Sequence, residues 1–200
     1  YTLHEIPPNG QGIAALIALG ILENFDIASL AVDGVDSQHL QIEAMKLAFA
    51  DVYRYVAEPS AMAVTPAQML DPAYLKSRAK LIDMRRAQDF GAGNPVQGGT
   101  IYLSTADENG MMVSFIQSNY MGFGSGCVEP NFGISLQNRG HGFSLDAKGV
   151  NPANVVAPGK RPFHTIIPAF LSKEGQPVMS YGVMGANMQP QGHMQTLVRM

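Results

Sequence analysis

Between Arg86 and Gly99 the chain loses every periodicity, and the segments on either side differ in kind. The run Ala87-Gln88-Asp89-Phe90-Gly91-Ala92-Gly93-Asn94-Pro95-Val96-Gln97-Gly98-Gly99 has the composition of a mobile linker. Helical patterns precede it and strand-like runs follow it. Helices, then a linker, then strands, is the order expected of a layered α+β fold. Charged residues make up 14% of the 200 positions, against roughly 25% in an average soluble domain. So little charge implies much buried surface or large interfaces with other chain.

On the helical side, residues 1–8 read as a short extended segment ending at Pro7-Pro8. Asn9-Gly10-Gln11-Gly12 then turns into an apolar helix from about Gly12 to Asn24. A second helix is expected from about Ser37 to Val56, capped by Asp36 or Ser37, with Leu40, Ile42, Met45, Leu47, Phe49 and Val52 making apolar contacts on more than one side. Thr65-Pro66 and Asp71-Pro72 each start a helix, because proline suits the first helical turn. The second of these should reach Met84, with Lys76, Arg78, Lys80, Arg85 and Arg86 as a solvated face. Beyond the linker, Thr100–Ala106 and Met111–Gln117 form a hairpin around Asp107-Glu108-Asn109-Gly110, where Asn-Gly favours a type I′ turn. Further strands are expected at Gly133–Gln137, His164–Ser172 and Pro177–Val183, and a helix from Pro190 onward.

Several function classes drop out. A formal net charge of -3 offers no basic face for nucleic acid. No run of about 18 apolar residues exists to span a membrane. One cysteine, Cys127, rules out an internal disulfide or a cysteine metal cage, and leaves periplasmic, secreted and cytoplasmic locations open. The five histidines show no metal-ligand spacing, so neither a metal nor another cofactor is expected. Gly122-Phe123-Gly124-Ser125-Gly126 lacks the third glycine of a dinucleotide loop and reads as a structural turn. Pro158-Gly159-Lys160-Arg161-Pro162 is a rigid turn with two cations. Tyr1 and Met200 read as internal positions, so the chain is expected to be a piece of a longer protein that does not fold alone.

Thr100 stands behind Gly98-Gly99 and opens a strand. A threonine so placed suits a self-released N-terminal nucleophile. Its hydroxyl attacks the preceding carbonyl, and the amine freed by cleavage becomes the base for the same hydroxyl. Gly-Gly-Thr alone is a weak signal, since most threonines at strand starts simply fit the pleat.

Four blocks in order strengthen it: Tyr1 to Asp26 with Pro7-Pro8 and Ile21-Leu22-Glu23-Asn24-Phe25-Asp26; Thr100 to Gly110; Phe123-Gly124-Ser125-Gly126 through Gly133-Ile134-Ser135-Leu136-Gln137-Asn138-Arg139; and Pro158-Gly159-Lys160-Arg161-Pro162. Together they resemble the γ-glutamyltranspeptidase family of N-terminal nucleophile hydrolases, over nearly the whole chain. The resemblance implies an αββα sandwich, present here in part, cut between Gly99 and Thr100 into subunits that stay associated. Residues 1–85 would then be the end of the large subunit, 86–99 the processing linker and 100–200 the start of the small, catalytic subunit. It also implies Thr100 as nucleophile, Ser118 as the supporting hydroxyl and Gly185-Ala186 as the oxyanion site.

The departures bear on substrate. His164-Thr165 stands where the family has a Ser-Ser pair, Tyr120 where it has asparagine, Gly142 where it has aspartate, and Arg139 where it has a neutral amide. A pocket that loses a carboxylate and gains a guanidinium should favour acids over amino acids. The expected donor is therefore a glutaryl-type amide in place of, or beside, a γ-glutamyl amide, its acyl group passing to water or an amine. Two alternatives stand beside this reading: a cephalosporin-acylase-like hydrolase, and a non-catalytic relative that serves as a binding or structural protein.

Overall fold

Helix α1 (Ile13–Leu22) contains no polar side chain, and a helix apolar on every side is stable only when surrounded. In a computed structural model, which describes residues 1–90 and 99–200, it is the centre of the core. Strand β1 (Thr2–His4) leads into it, and helices α2 (Val35–Tyr55), α3 (Pro66–Met69) and α4 (Pro72–Ala79) follow. At Gly20 an added Cβ would stand 2.5 Å from Leu75 Cδ1, so the missing side chain lets α4 pack close against α1.

Helix α2 buries Leu40, Ala44, Leu47, Ala48 and Val52, but Ile42 is exposed. Its N-cap is Gly34 with no side-chain cap, so neither Asp36 nor Ser37 caps it; Asp36 lies in the first turn, where its charge suits the helix dipole. The Thr65 cap is a full capping box with Gln68, and Asp71 accepts from Tyr74 N at 2.9 Å. Helix α4 ends at Ala79, well short of Met84. Near that point Asp83 N donates to Gln88 Oε1 (2.9 Å) and Asp83 Oδ1 accepts from Arg85 N (3.0 Å), local bonds that compete with helix continuation. Arg78 is not a solvated residue either: it reaches inward to Asp51 at 3.0 Å. Of the expected linker, residues 91–98 lie outside the described residues. The part before them is tied to α2, with Gln88 N on Glu43 Oε2 (3.1 Å) and Phe90 under the Lys46 ammonium (5.3 Å).

Past residue 99 come β2 (Gly99–Ala106), β3 (Met112–Tyr120), β4 (Val128–Glu129), β5 (Ile134–Ser135), β6 (Ala169–Lys173), β7 (Gln176–Tyr181) and α5 (Gln189–Val198). Strands β2 and β3 form the expected hairpin, but Asn109 does not take the positive φ of a type I′ turn; only Gly110 does, at φ 83°. The Asp107 carboxylate holds the loop instead, accepting from Asn109 N and Met111 N at 2.9 Å each. Strand β6 lies between β1 and β7, all antiparallel, so the segment before the linker and the segment after it share a sheet. One buried cluster joins the helices to Leu3, Ala169, Leu171 and Tyr181 of that sheet.

The expected strand from His164 begins only at Ala169. His164 N donates to Asn9 O (3.0 Å) and Gln11 N to His164 O (2.9 Å), which draws that stretch toward the α1 entry. The strand expected over Gly133–Gln137 shrinks to β5. The glycine turn is structural: Gly124 has φ 70°, and a Cβ there would meet Leu136 O at 2.4 Å. The hairpin is held to β7 where the Tyr102 ring crosses Gly182, at which a Cβ would stand 2.6 Å from the ring. Its other face leaves Ile101, Leu103, Val113 and Phe115 exposed. No helix among the described residues is long and apolar enough to cross a membrane.

Candidate active site

The β2–β3 ladder shifts register between Gly99 and Ile101: Gly99 pairs with Tyr120, whereas Ile101 pairs with Gln117. Two residues, Ser118 and Asn119, therefore face the single residue Thr100. Such a bulge re-aims a side chain. Here the Thr100 hydroxyl donates to Ser118 Oγ at 3.2 Å, and Ser118 Oγ also accepts from Tyr120 N at 2.9 Å. Thr100 and Ser118 line an open cleft of about 600 Å³ with Asn119, Gly122 and Ser135.

Tyr120 adopts φ 77°, a left-handed conformation uncommon for a bulky residue and costing about 1–3 kcal/mol. Its ring lies 5.3 Å from the Arg139 guanidinium carbon and 6.0 Å from the His141 ring. Arg139 is 3% exposed, in a 3₁₀ turn over Arg139–Gly142, and its Nη1 donates to Thr165 Oγ1 at 3.0 Å. Among the described residues no carboxylate pairs with it. Burial lowers its pKa, but a guanidinium stays charged. It therefore presents an uncompensated cation to a second cleft of about 460 Å³, shared with Asn9, Gln137, Arg161 and His164. Arg161 is already neutralised, because Glu58 accepts from its Nε at 2.6 Å and its Nη2 at 2.8 Å.

His164 is the neutral member of this cleft. Burial first, and the Arg139 charge second, push its pKa down to about 4, and its Nδ1 accepts from Ile166 N at 3.1 Å. That contact leaves the ring proton on Nε2. The unfolded chain takes up a proton near pH 6.5 whereas the folded chain resists until about pH 4. The histidine thus leaves stability unaffected above pH 6.5 and costs stability progressively as pH falls from 6.5 to 4. Discounted for partial exposure, the loss is about 1–2 kcal/mol. Urea denaturation midpoints of the intact protein should fall over that window, and His164→Gln should remove this component. An unchanged pH profile in His164→Gln would contradict the assignment.

At Gly142, which stands where the family has an aspartate, an added Cβ would approach Phe163 O to 2.9 Å, and Asn154 Nδ2 donates to Gly142 O at 2.6 Å. The backbone packing leaves no room for an acidic side chain. Gly185 and Ala186 open the 3₁₀ turn Ala186–Met188 with φ 135° and φ 52°. Ala186 O accepts from Gln11 Nε2 (2.9 Å) and Gln189 Nε2 (3.2 Å), and Gln11 Nε2 also donates to Thr165 O (2.8 Å).

The structure thus brings Thr100 to Ser118, Ser118 to Tyr120, Tyr120 to Arg139, and Arg139 to Thr165 and His164. Gly185–Ala186 joins this set through Gln11. Thr100 and Arg139 line different clefts, with Tyr120 as the link between them. Gln11 and Gln189 escaped the sequence reading. A glutamine just before a wholly apolar helix was the available signal, since a buried amide needs partners.

The family model described as gamma-glutamyltranspeptidase matches residues 1–200. The chain is 37% identical over 200 residues to the glutathione hydrolase-like YwrD proenzyme of Bacillus subtilis, covering all of this chain and 37% of that protein. It is 40% identical over 190 residues to the oxamate amidohydrolase proenzyme of Klebsiella pneumoniae, covering 95% of this chain and 35% of that one. The crystal structure of cephalosporin acylase from Bacillus halodurans matches with a TM-score of 0.86 at 53% identity, over 98% of this chain and 35% of that chain. The chain therefore spans little more than a third of the length of these relatives. Its mixed helix and sheet agrees with the α+β N-terminal nucleophile hydrolase architecture of that acylase. With every residue inside the match and the fold shared, the chain belongs to the gamma-glutamyltranspeptidase family.

Proposed function

We propose that the protein is a self-processing amidohydrolase or acyltransferase whose N-terminal threonine, Thr100, takes an acyl donor bearing a carboxylate and no α-ammonium. The observation that carries the donor class is the buried Arg139 guanidinium, open to a cleft and unpaired among the described residues. A cation in that setting binds a carboxylate, whereas a γ-glutamyl α-ammonium would meet like charge, with no carboxylate paired to Arg139 among the described residues.

In the uncleaved chain the Thr100 nitrogen is an amide and has no base function. Attack of Thr100 Oγ1 on the Gly99 carbonyl shifts the acyl group to oxygen, and water releases it, freeing an α-amine of pKa roughly 7.7–8.0. That amine then accepts the hydroxyl proton as Oγ1 attacks the donor amide, and it passes the proton to the leaving amine. The acyl-ester is resolved by water or by an acceptor amine. Ser118 aims the hydroxyl, and backbone N–H groups at Gly185–Ala186 stabilise each oxyanion. The two products of cleavage stay together because β1 pairs with β6 and α1 lies inside the common core.

A relative named oxamate amidohydrolase fits the donor class, since oxamate is an amide with a carboxylate and no ammonium. Matched glutaryl and γ-glutamyl anilides, assayed with the intact processed enzyme, test the proposal. The glutaryl compound should show the higher kcat/KM, by about tenfold or more. A clear preference for the γ-glutamyl compound would overturn it.

A further inference from the structure

We infer that Gln11 is a positioning residue: its side-chain amide holds Ala186 in the left-handed backbone geometry that aims the oxyanion-site N–H groups. The inference rests on the proposed role of Gly185–Ala186 and adds what keeps that turn in place.

Gln11 is fully buried, and its backbone is pinned because its N–H donates to His164 O at 2.9 Å. Both hydrogens of Nε2 are used, one on Thr165 O at 2.8 Å and one on Ala186 O at 2.9 Å. Two carbonyl partners fix the amide orientation, because the side-chain oxygen in that place would face two acceptors. The same amide therefore ties the turn at Ala186 to the extended segment carrying Thr165, whose hydroxyl accepts from Arg139 Nη1.

Ala186 needs such a tie. It has φ 52° with a Cβ, a conformation that L-residues other than glycine seldom hold unaided. Its carbonyl belongs to the peptide unit that it shares with Asn187. Anchoring that oxygen fixes the plane of this unit and, through the dihedrals of Ala186, the direction of the N–H before it. Gln189 Nε2 donates to the same oxygen at 3.2 Å, and Met188 N closes the turn on Gly185 O at 3.0 Å, but both are local. Gln11 alone among these donors reaches across from the α1 entry. If cleavage occurs at Gly99–Thr100, it acts from one product of cleavage on the other.

The test is Gln11→Met in the intact protein, which keeps the side-chain length and removes both donors. The expected crystal structure shows Ala186 relaxed to negative φ, with kcat for a glutaryl anilide down roughly 100-fold and KM within about twofold. In an Ala186→Gly background, where positive φ carries no penalty, the same substitution should cost tenfold or less. Ala186 retaining positive φ in Gln11→Met, an unchanged kcat, or equal losses in both backgrounds would each overturn the inference. Should Gln11→Met fail to fold, Gln11→Asn, too short to reach both carbonyls, is read in the same way. A wild-type enzyme that turns over no acyl donor would defeat the proposed function, and the φ of Ala186 would still decide the role of Gln11.

Discussion

Thr100→Ala is expected to leave the Gly99–Thr100 bond intact and the protein inactive. In the proposed mechanism processing and turnover draw on one atom, Oγ1, so its loss should stop both. Intact mass spectrometry of the wild type should show two pieces whose masses sum to that of the precursor plus one water, and of the variant a single chain. Activity toward any acyl donor should fall by at least about 1000-fold, the scale of removing a nucleophile together with its base. The geometry supports this choice of atom. Thr100 is the residue that the β2–β3 bulge isolates, and its hydroxyl already donates to Ser118 Oγ at 3.2 Å. Thr100→Ser keeps the hydroxyl and should still cleave, more slowly because the side chain is less restrained. Two pieces from Thr100→Ala would remove Thr100 from the proposal.

Arg139→Gln should reverse the donor preference. The guanidinium stands 3% exposed against Thr165 Oγ1 and the Tyr120 ring, with no carboxylate partner among the described residues. A charge-assisted hydrogen bond to substrate is worth about 1.5–3 kcal/mol. Kcat/KM for a glutaryl anilide should therefore fall roughly 10- to 150-fold. The γ-glutamyl anilide should change little or improve, since the like charge facing its ammonium is gone. Burial of an unpaired cation opposes folding, so the variant should melt no lower than the wild type. This separates a specificity role from a structural one: a lower melting temperature with equal losses on both donors would place Arg139 in the scaffold.

Local structure was readable where near neighbours offered the backbone no competing bond. The helix starts at Thr65-Pro66 and Asp71-Pro72, the hairpin, and the helix beginning beside Pro190 all depend on residues a few positions apart. Expectations failed where a distant or competing partner intervened. Arg78 turned inward because Asp51 of α2 lies within 3.0 Å, and His164 left the expected strand to bond with Asn9 and Gln11. The Asp107 carboxylate overrode the Asn-Gly turn preference.

The site divides in the same way. Sequence pattern marked Thr100 as a threonine behind Gly98-Gly99 at a strand start, and the family resemblance pointed to Ser118, Tyr120, Arg139, His164, Thr165, Gly185 and Ala186 by position. Only the tertiary structure decided that Tyr120 and Ala186 stand at positive φ, that Thr100 and Arg139 open to different clefts, and that Gln11 Nε2 donates to Ala186 O. Backbone strain and buried amide contacts arise from groups up to 175 residues apart. Sequence pattern reports what a residue can do, whereas packing decides what it meets.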